Sequence, residues 1–409
     1  MKPSVTTRRD FLKKSLLAAA ATTVLRDAVG DGDPTYTARV SVSYRYGRVD
    51  NAFRAMQPFK NEIAQAIGTK RVILKPNVVD ANTALACSHV DWMEGILEFL
   101  KSIGKTNVVI AESTAGISQA GTKANTMYGF DNMGYLALAR KYPVKFMDLN
   151  AEGHVPIKVW FANGDTTPNT TIQATKLYFD PNNFIISCPR MKTHNCVGVT
   201  AGVKNIAMST PHVDVGMFFA QPGTHEDKHG TTVSGGNTGT NGIHGADGTN
   251  GTSNGGPQPL NDNIFRLAKV YGIHPHLSMI DGYQGMQGNG PVGGTAVAVQ
   301  NLGICSFDYV AADRIAVRLM AHDNYVANSG VNFLLTGSPI GGPYPACLNY
   351  MGQAGLGVWD INSIQLIFNG ATSPMTTLDS HIVVYTPQAG ILNGTLLGQR
   401  ATPRSYDLI

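Results

Sequence analysis

The sequence predicts an α/β protein with a mostly parallel central sheet, flanking helices and an added β portion. Short apolar runs typical of buried strands alternate along the chain with longer segments of helical spacing. This alternation indicates parallel strands joined by crossover helices. Residues 152–179 differ, since two strand-like runs flank a polar turn and predict a hairpin. Charged residues make up only 15% of the chain, which is typical of a globular protein and not of a disordered one.

The first half of the chain supplies most of the predicted sheet. Residues 36–44 alternate apolar and polar side chains, which predicts a strand with one solvated face. Gly68 and Gly104 follow two helical segments and fit C-terminal caps. The further strands are predicted at 72–74, 107–111, 144–149 and 184–188, and the helices at 49–67, 90–103 and 132–141.

The second half continues the pattern after a long insertion. Residues 222–259 are rich in Gly, Asn, Thr and Ser, which predicts a flexible flap able to act as a lid. The histidines in or near it, His225, His229 and His244, are expected to be solvated. Helices are predicted at 263–271 and 309–321, and strands at 277–280, 295–301, 363–368 and 381–385.

Residues 1–30 predict a twin-arginine signal peptide. Arg8 and Arg9 precede a Phe-Leu-Lys sequence and then a short, alanine-rich apolar run, and small residues precede Asp31. An amphipathic N-terminal helix is the alternative interpretation. The signal predicts export in the folded state, by the twin-arginine machinery, to the periplasm or the exterior. The remaining residues, 31–409, form the predicted α/β domain. Export after folding permits a cofactor, whose identity the sequence leaves unknown.

The positive net charge of the chain comes from this signal. Residues 1–30 carry a net charge of +4, which equals the formal net charge of the whole chain. The mature protein is therefore near neutral, and nucleic acid is not an expected partner. No stretch after the signal is long and apolar enough for a permanent membrane span.

The cysteines and metal-type side chains give weaker signals. The five cysteines contain no Cys-x-x-Cys pair, which argues against an iron–sulfur cluster or structural zinc. Cys188 and Cys196 have two open interpretations, a disulfide closing a small loop or buried free thiols. Side chains with oxygen or nitrogen ligand atoms are available in His89, His194, Asp281, Asp308 and Asp313. Their spacing does not match a metal-binding motif, so no metal site is predicted.

Polar residues follow the predicted strands in three places. One is Lys75-Pro76-Asn77, the second runs from Lys192 to Asn205, and the third runs from Asp281 to Asn289. The carboxyl ends of parallel strands lie on one edge of a sheet, so we expect these loops to form one crevice.

The lysines in these loops predict an anion site. Lys75, Lys192 and Lys204 around one pocket would bind a carboxylate or phosphate, and crowding lowers the pKa of one amine toward that of a base or Schiff-base nucleophile. Two alternatives stay open. Lys204 pairs with a buried acid, Asp281 or Asp308, or Asn77 only forms a turn. The predicted catalytic residues are Lys192, His194 and Lys204, and the predicted ligand-binding residues are Lys75, Asn77, Asn205, Asp281 and Asn289.

Three motifs carry a family resemblance. They are Val72-Ile73-Leu74-Lys75-Pro76-Asn77, the stretch from Pro189-Arg190-Met191-Lys192-Thr193-His194 to Lys204-Asn205, and Asp281-Gly282 through Gly290-Pro291 to Gly294. In this order they resemble the domain of unknown function 362 family. The resemblance implies a fold class and candidate residues but no settled reaction.

These observations support two main hypotheses of function. The first is an exported enzyme acting on a small anionic molecule through a Lys/His site, and the second is a non-catalytic periplasmic ligand-binding protein. A third, lesser hypothesis is a surface interaction protein that makes contact through the insertion.

Overall fold

A computed structural model shows that the chain is built around one large mixed sheet, which confirms the predicted α/β class. The structure describes residues 37–114, 126–161, 164–194, 197–211, 232–233, 237–238, 258–322, 346–386 and 402–408. Its strands are β1 (Ala38–Tyr44), β2 (Arg71–Pro76), β3 (Val108–Glu112), β4 (Val144–Asp148), β5 (His154–Val159), β6 (Thr170–Thr175), β7 (Asn183–Cys188), β8 (Arg190–His194), β9 (Gly198–Thr200), β10 (Thr232–Val233), β11 (Asn237–Thr238), β12 (Leu277–Gln287), β13 (Thr295–Ala296), β14 (Leu302–Ser306), β15 (Ile364–Phe368) and β16 (Ala371–Ser373). Its α-helices are α1 (Arg48–Met56), α2 (Lys60–Ile67), α3 (Val90–Ser102), α4 (Thr126–Asn132), α5 (Gly202–Met208), α6 (Gln258–Tyr271), α7 (Tyr309–Leu319) and α8 (Ala346–Gln353).

The strand order explains where a ligand crevice can form. The main sheet runs β16-β15-β1-β14-β12-β7-β2-β3-β4, and β12, β7, β2, β3 and β4 are all parallel. From β2 the chain proceeds to β3 on one side, whereas from β7 it proceeds to β12 on the other. The order therefore reverses between β2 and β7. Open α/β sheets bind ligands outside the carboxyl ends of the strands at such a reversal.

Two smaller β features accompany the main sheet. Strands β5 and β6 pair antiparallel in a sheet of their own, which confirms the predicted hairpin. Strand β8 continues the line of β7 after Pro189 and pairs parallel with β12 and antiparallel with β9. This extension carries the sheet beyond the carboxyl edge and over the crevice.

Apolar side chains are buried on both faces of the sheet. On β2, Val72 and Leu74 join a core cluster with α1, α2 and α3, while Ile73 joins the other cluster, which includes residues of α5 to α8. Burial on both faces is why this strand is a continuous apolar run in the sequence. None of the helices in the described ranges combines the length and apolar character that crossing a membrane requires.

Strand β1 differs from its prediction of one solvated face. Ser41 and Ser43 are both buried, because α1 packs on the face of β1 that was predicted to be solvated. The Ser43 hydroxyl donates to the Asn51 carbonyl at 2.7 Å. A hydroxyl satisfied in this way can be buried without a large penalty.

Two predicted helices of the first half were wrong in their continuity. The segment 49–67 breaks into α1, a 3-10 turn at Gln57–Phe59, and α2. Pro58 lies in that turn and lacks the N–H that an α-helix interior needs. The helix predicted at 132–141 is interrupted by Gly134, which has φ +80°, and continues as 3-10 helix.

The strands of the second half also shift. The strand predicted at 295–301 shrinks to the two residues of β13, and the true strand, β14, begins at 302. Asn301 lies between them at φ +59°, a left-handed conformation that interrupts a strand. Strand β12 extends to Gln287, and 382–385 is not a strand. Helix α8 was not predicted. Most of the insertion at 222–259 lies outside the described residues, and α6 begins at Gln258.

Candidate functional site

Strand β8 aligns three basic side chains at the carboxyl edge. Because neighbouring side chains of a strand alternate, Arg190, Lys192 and His194 share one face, and Met191 enters the core on the other. The prediction of a loop here was wrong. The alternation of basic with other residues in Arg-Met-Lys-Thr-His was the available signal, and only the pairing with β12 and β9 makes it a strand.

Lys192 is completely buried and has no carboxylate partner among the described residues. Its amine donates to the main-chain carbonyl of Ala86 and, at 3.4 Å, to that of Pro291. Burial lowers the pKa of Lys192 from 10.5 to about 7, and the positive charges of Lys204 and Arg190 act in the same direction. A substantial share of this amine is therefore neutral at neutral pH.

Lys75 forms a clamp between β2, β3 and α5. Its amine donates to Pro76 O at 2.6 Å, Glu112 Oε2 at 2.9 Å and Asn205 Oδ1 at 2.9 Å. An ammonium has three N–H groups, so these bonds leave none for a ligand. Burial lowers the pKa of Lys75, although Glu112 opposes this effect.

Glu112 is the partner that sequence reasoning missed. Its carboxylate also accepts from the backbone N–H of Val78 and of Ser113, each at 2.7 Å. It therefore joins the segments that follow β2 and β3. The signal in the sequence was an acid placed directly after the apolar run of β3, in the position where the predicted loops carry their polar residues.

Helix α5 positions Asn205 and Lys204 beside this clamp. The Asn205 amide donates to Lys75 O at 2.9 Å and to Ser187 Oγ at 3.1 Å. Lys204 is buried on the same helix, and its charge lowers the pKa of Lys192. The predicted loop at these two residues is thus a helix.

Asp313 of α7 holds the beginning of α5 in place. Its two carboxylate oxygens accept from the backbone N–H of Gly202 at 2.7 Å and of Val203 at 3.0 Å. Burial raises the pKa of Asp313 to about 7. A Cβ at residue 202 would lie 2.4 Å from Ser278 Oγ, so only glycine fits this contact.

Asp281 lies within β12, not at a strand end as predicted, and two guanidinium groups face it. Arg48 Nε lies 3.1 Å from Asp281 Oδ2, and Arg190 Nε lies 4.0 Å from the same oxygen. The backbone N–H of Tyr283 donates to Asp281 Oδ1 at 2.9 Å. Arg48 was not predicted, since it lies more than two hundred residues away in sequence, at the start of α1.

The remaining predicted site residues have distinct surroundings. Asn77 follows β2, its backbone N–H donates to Ser88 Oγ at 2.9 Å, and its buried Oδ1 has no hydrogen-bond partner in the described chain. His194 is buried and its Nδ1 accepts from Val197 N–H at 3.4 Å. Asn289 is exposed, in a turn whose Gly288 carbonyl accepts from Thr193 Oγ1.

Several buried polar atoms at this edge lack hydrogen-bond partners. Among the described residues they are Asn77 Oδ1, Thr114 Oγ1, Arg190 Nε and Thr200 Oγ1, whereas Asp281 Oδ2 lies against Arg48 Nε. Buried polar groups are almost always satisfied, so these atoms are candidates for hydrogen bonds to a ligand. In the described ranges no group of His, Cys, Asp and Glu has the arrangement of a metal site. Cys87, Cys188, Cys305 and Cys347 are buried free thiols, and Cys196 lies outside the described residues.

Comparisons with known proteins give a family but no activity. No curated protein matches the chain. Among solved structures, the crystal structure of a Thermotoga maritima protein from a structural genomics consortium is similar, with 13% identity and a TM-score of 0.34. The match covers 65% of this chain and 58% of that chain.

The family match spans the region from β2 to α7. The model described as "Domain of unknown function (DUF362)" matches residues 72–318, which is more than half of the chain and includes every predicted site residue. The chain therefore belongs to the DUF362 family.

Proposed function

We propose that this protein is an exported α/β enzyme that acts on a small anionic molecule at the carboxyl edge of its sheet, with Lys192 as the reactive amine. One observation carries the proposal. The Lys192 amine is buried at the reversal of strand order, and in the described chain it bonds only to main-chain carbonyls. Buried, strongly perturbed amines in a crevice are typical of catalytic lysines.

The surrounding residues support acid–base or amine chemistry. A neutral Lys192 can accept a proton or attack a carbonyl carbon, while the positive charges of Lys204 and Arg190 favour an anionic substrate. His194 lies on the same face of β8 and is the candidate for proton transfer. Asn77 Oδ1 is a buried acceptor available to a substrate donor.

Two turns cover the Lys192 amine. Ala86 belongs to the turn Ala84–Ala86, and Pro291 belongs to the glycine-rich turn after β12. The second turn is partly exposed. Substrate would therefore replace these carbonyls as the hydrogen-bond partner of the amine. Of the two hydrogen bonds that would be lost, the one to the Pro291 carbonyl, at 3.4 Å, is the longer. Lys75, Glu112 and Asn205 would position the site without contacting substrate.

The experiment is a turnover screen with a matched lysine control. Protein purified through its own export route is incubated with a panel of anionic metabolites, and each mixture is followed by mass spectrometry. We expect one compound to be consumed by the wild type and by Lys101→Met, whose lysine is exposed on α3, but not by Lys192→Met. Consumption unchanged in Lys192→Met would contradict the assigned role.

A non-catalytic ligand-binding protein is the second candidate. The complete burial of Lys192 and its two existing carbonyl bonds favour it, because a cation held in this way can neutralise an anion without reacting. The screen separates the two functions. A compound that binds the wild type and is recovered unchanged after prolonged incubation supports binding alone.

Export belongs to the same proposal and depends on residues 1–30. Replacing Arg8 and Arg9 by lysine should keep the protein in the cytoplasm, since the paired arginines are the defining feature of the signal. Cell fractionation measures the outcome, and N-terminal sequencing of the exported wild type should begin near Asp31. Export that is unaffected by the substitution would exclude the twin-arginine route.

The Gly-rich insertion is proposed as a flap, and deleting 224–256 tests whether ligand affinity depends on it.

A further inference from the structure

A second cationic group lies beside Lys192, and the proposed chemistry uses only one of its members, Arg190, as a nearby charge. Arg48 at the start of α1 and Arg190 at the start of β8 both face Asp281, whose side chain is inaccessible to solvent. The exposed fractions of the two arginine side chains are 9% and 5%. Two guanidinium groups against one carboxylate leave an excess positive charge in a nearly water-free place, which is costly unless another anion joins them.

The hydrogen bonds of these arginines are incomplete. Arg190 Nη1 donates to Leu85 O at 3.1 Å, but the buried Arg190 Nε, 4.0 Å from Asp281 Oδ2, has no hydrogen-bond partner among the described residues. Arg48 is held in place by the ring of Tyr283, with 4.4 Å between its Cζ and the ring centroid. Arginine supplies five N–H donors in a planar fork, so donors remain available for the paired oxygens of an oxyanion.

The beginning of α3 adds one further donor, His89, to the same place. His89 is the N-cap of this helix, and its Nδ1 accepts from the backbone N–H of Asp91 at 3.1 Å. In the neutral ring the proton then lies on Nε2, which is free to donate. The charges of Arg48, Asp281 and Arg190 all act on His89, which places the histidine near the arginine group. The Asp91 carboxylate, 3.5 Å from His89 Nδ1, is the acid that opposes this positive field.

We propose that Arg48, Arg190 and His89 form a subsite for an oxyanion, a carboxylate or phosphate group of the substrate. His89 and Asp91 are half-exposed, so the subsite opens to solvent on their side, while Arg190 connects it with Lys192 two residues further along the same face of β8. The inference rests on the proposed function in that it names the group by which the substrate is held. Arg190 of the subsite and the reactive amine of Lys192 are thus separate groups on one strand, while Arg48 and His89 come from the starts of two helices.

The test uses inorganic phosphate and oxalate as probes, titrated by calorimetry at low ionic strength against the full exported chain. We expect saturable binding of at least one probe, and a loss of affinity of about tenfold or more in Arg48→Gln and in Arg190→Gln, because each removes a charged donor. The matched control is Arg54→Gln, on the same helix as Arg48 but exposed and stacked on Tyr46. Circular dichroism confirms that the variants are folded.

The outcomes separate the subsite from the proposed enzyme. Absence of binding of both probes by the wild type, or equal affinity in the wild type and both arginine variants, would overturn the subsite. An equal loss in Arg54→Gln would also overturn it, because it would show only a general effect of positive charge. If the probes bind as expected but no compound is turned over, the subsite stands and the enzyme proposal fails.

Discussion

Replacing Lys192 by methionine tests the buried amine directly, through the pH dependence of stability. In the folded protein the pKa of Lys192 is lowered from 10.5 to about 7. Well below pH 7 both the folded and unfolded states hold the proton, and the folded state bears the full cost of the buried charge. Between pH 7 and 10.5 only the unfolded lysine is protonated, so this cost disappears and the free energy of unfolding rises with pH.

The size of the effect follows from the two pKa values. At about 1.36 kcal/mol per pH unit, the wild type gains about 5 kcal/mol relative to Lys192→Met between pH 7 and 10.5. Methionine also leaves the carbonyls of Ala86 and Pro291 without their donor, which costs about 1–3 kcal/mol each. That cost does not depend on pH. The measured quantity is therefore the change with pH of the difference between the two proteins, not the difference at one pH.

Urea unfolding followed by the fluorescence of the buried Trp92 and Trp160 provides the assay. Lys101→Met is the control, because Lys101 is exposed and its removal should give a difference that is flat with pH. A flat difference for Lys192→Met as well would refute the reasoning, since it would mean that folding leaves the pKa of this amine unchanged. The proposed role of Lys192 as a neutral amine would then lose its physical basis.

Three further substitutions test the supports of the site, each by urea unfolding. Glu112→Gln removes the carboxylate that Lys75 contacts at 2.8 Å and should lower the free energy of unfolding by about 3–5 kcal/mol. The control Glu94→Gln breaks an exposed ion pair with Lys141 and should lower it by less than about 1 kcal/mol. Equal losses in the two variants would refute the role of Glu112 in the clamp. Gly202→Ala should cost about 1–3 kcal/mol, because its Cβ meets a side-chain oxygen at 2.4 Å, and unchanged stability would show that the contact can relax. Asp407→Asn should lower the free energy of unfolding by about 3–5 kcal/mol, because it leaves the buried Arg266 of α6 without its carboxylate partner. A loss below about 1 kcal/mol would show that the ion pair of Arg266 and Asp407 does not hold the C-terminal segment.

Several parts of the fold were predictable because they depend on local pattern. The apolar runs of β2, β3 and β7 identify buried parallel strands, since a strand covered on both faces has no polar side. Gly68 and Gly104 end their helices at positive φ, as glycine's freedom allows. Pro58 also marked a break, but the apolar periodicity on both sides of it predicted one continuous helix instead.

The sequence by itself determined that Lys75 and the residues near Lys192 lie at the carboxyl edge, because they follow apolar strands, but it did not identify Glu112 or Arg48 there. Only the tertiary structure decided how they are paired. Lys75 donates all three of its N–H groups, to Pro76, Glu112 and Asn205, while Lys192 bonds, within the described residues, only to carbonyls of two distant turns. Their surroundings differ because partners far apart in sequence meet through strand order and register, which no local pattern contains.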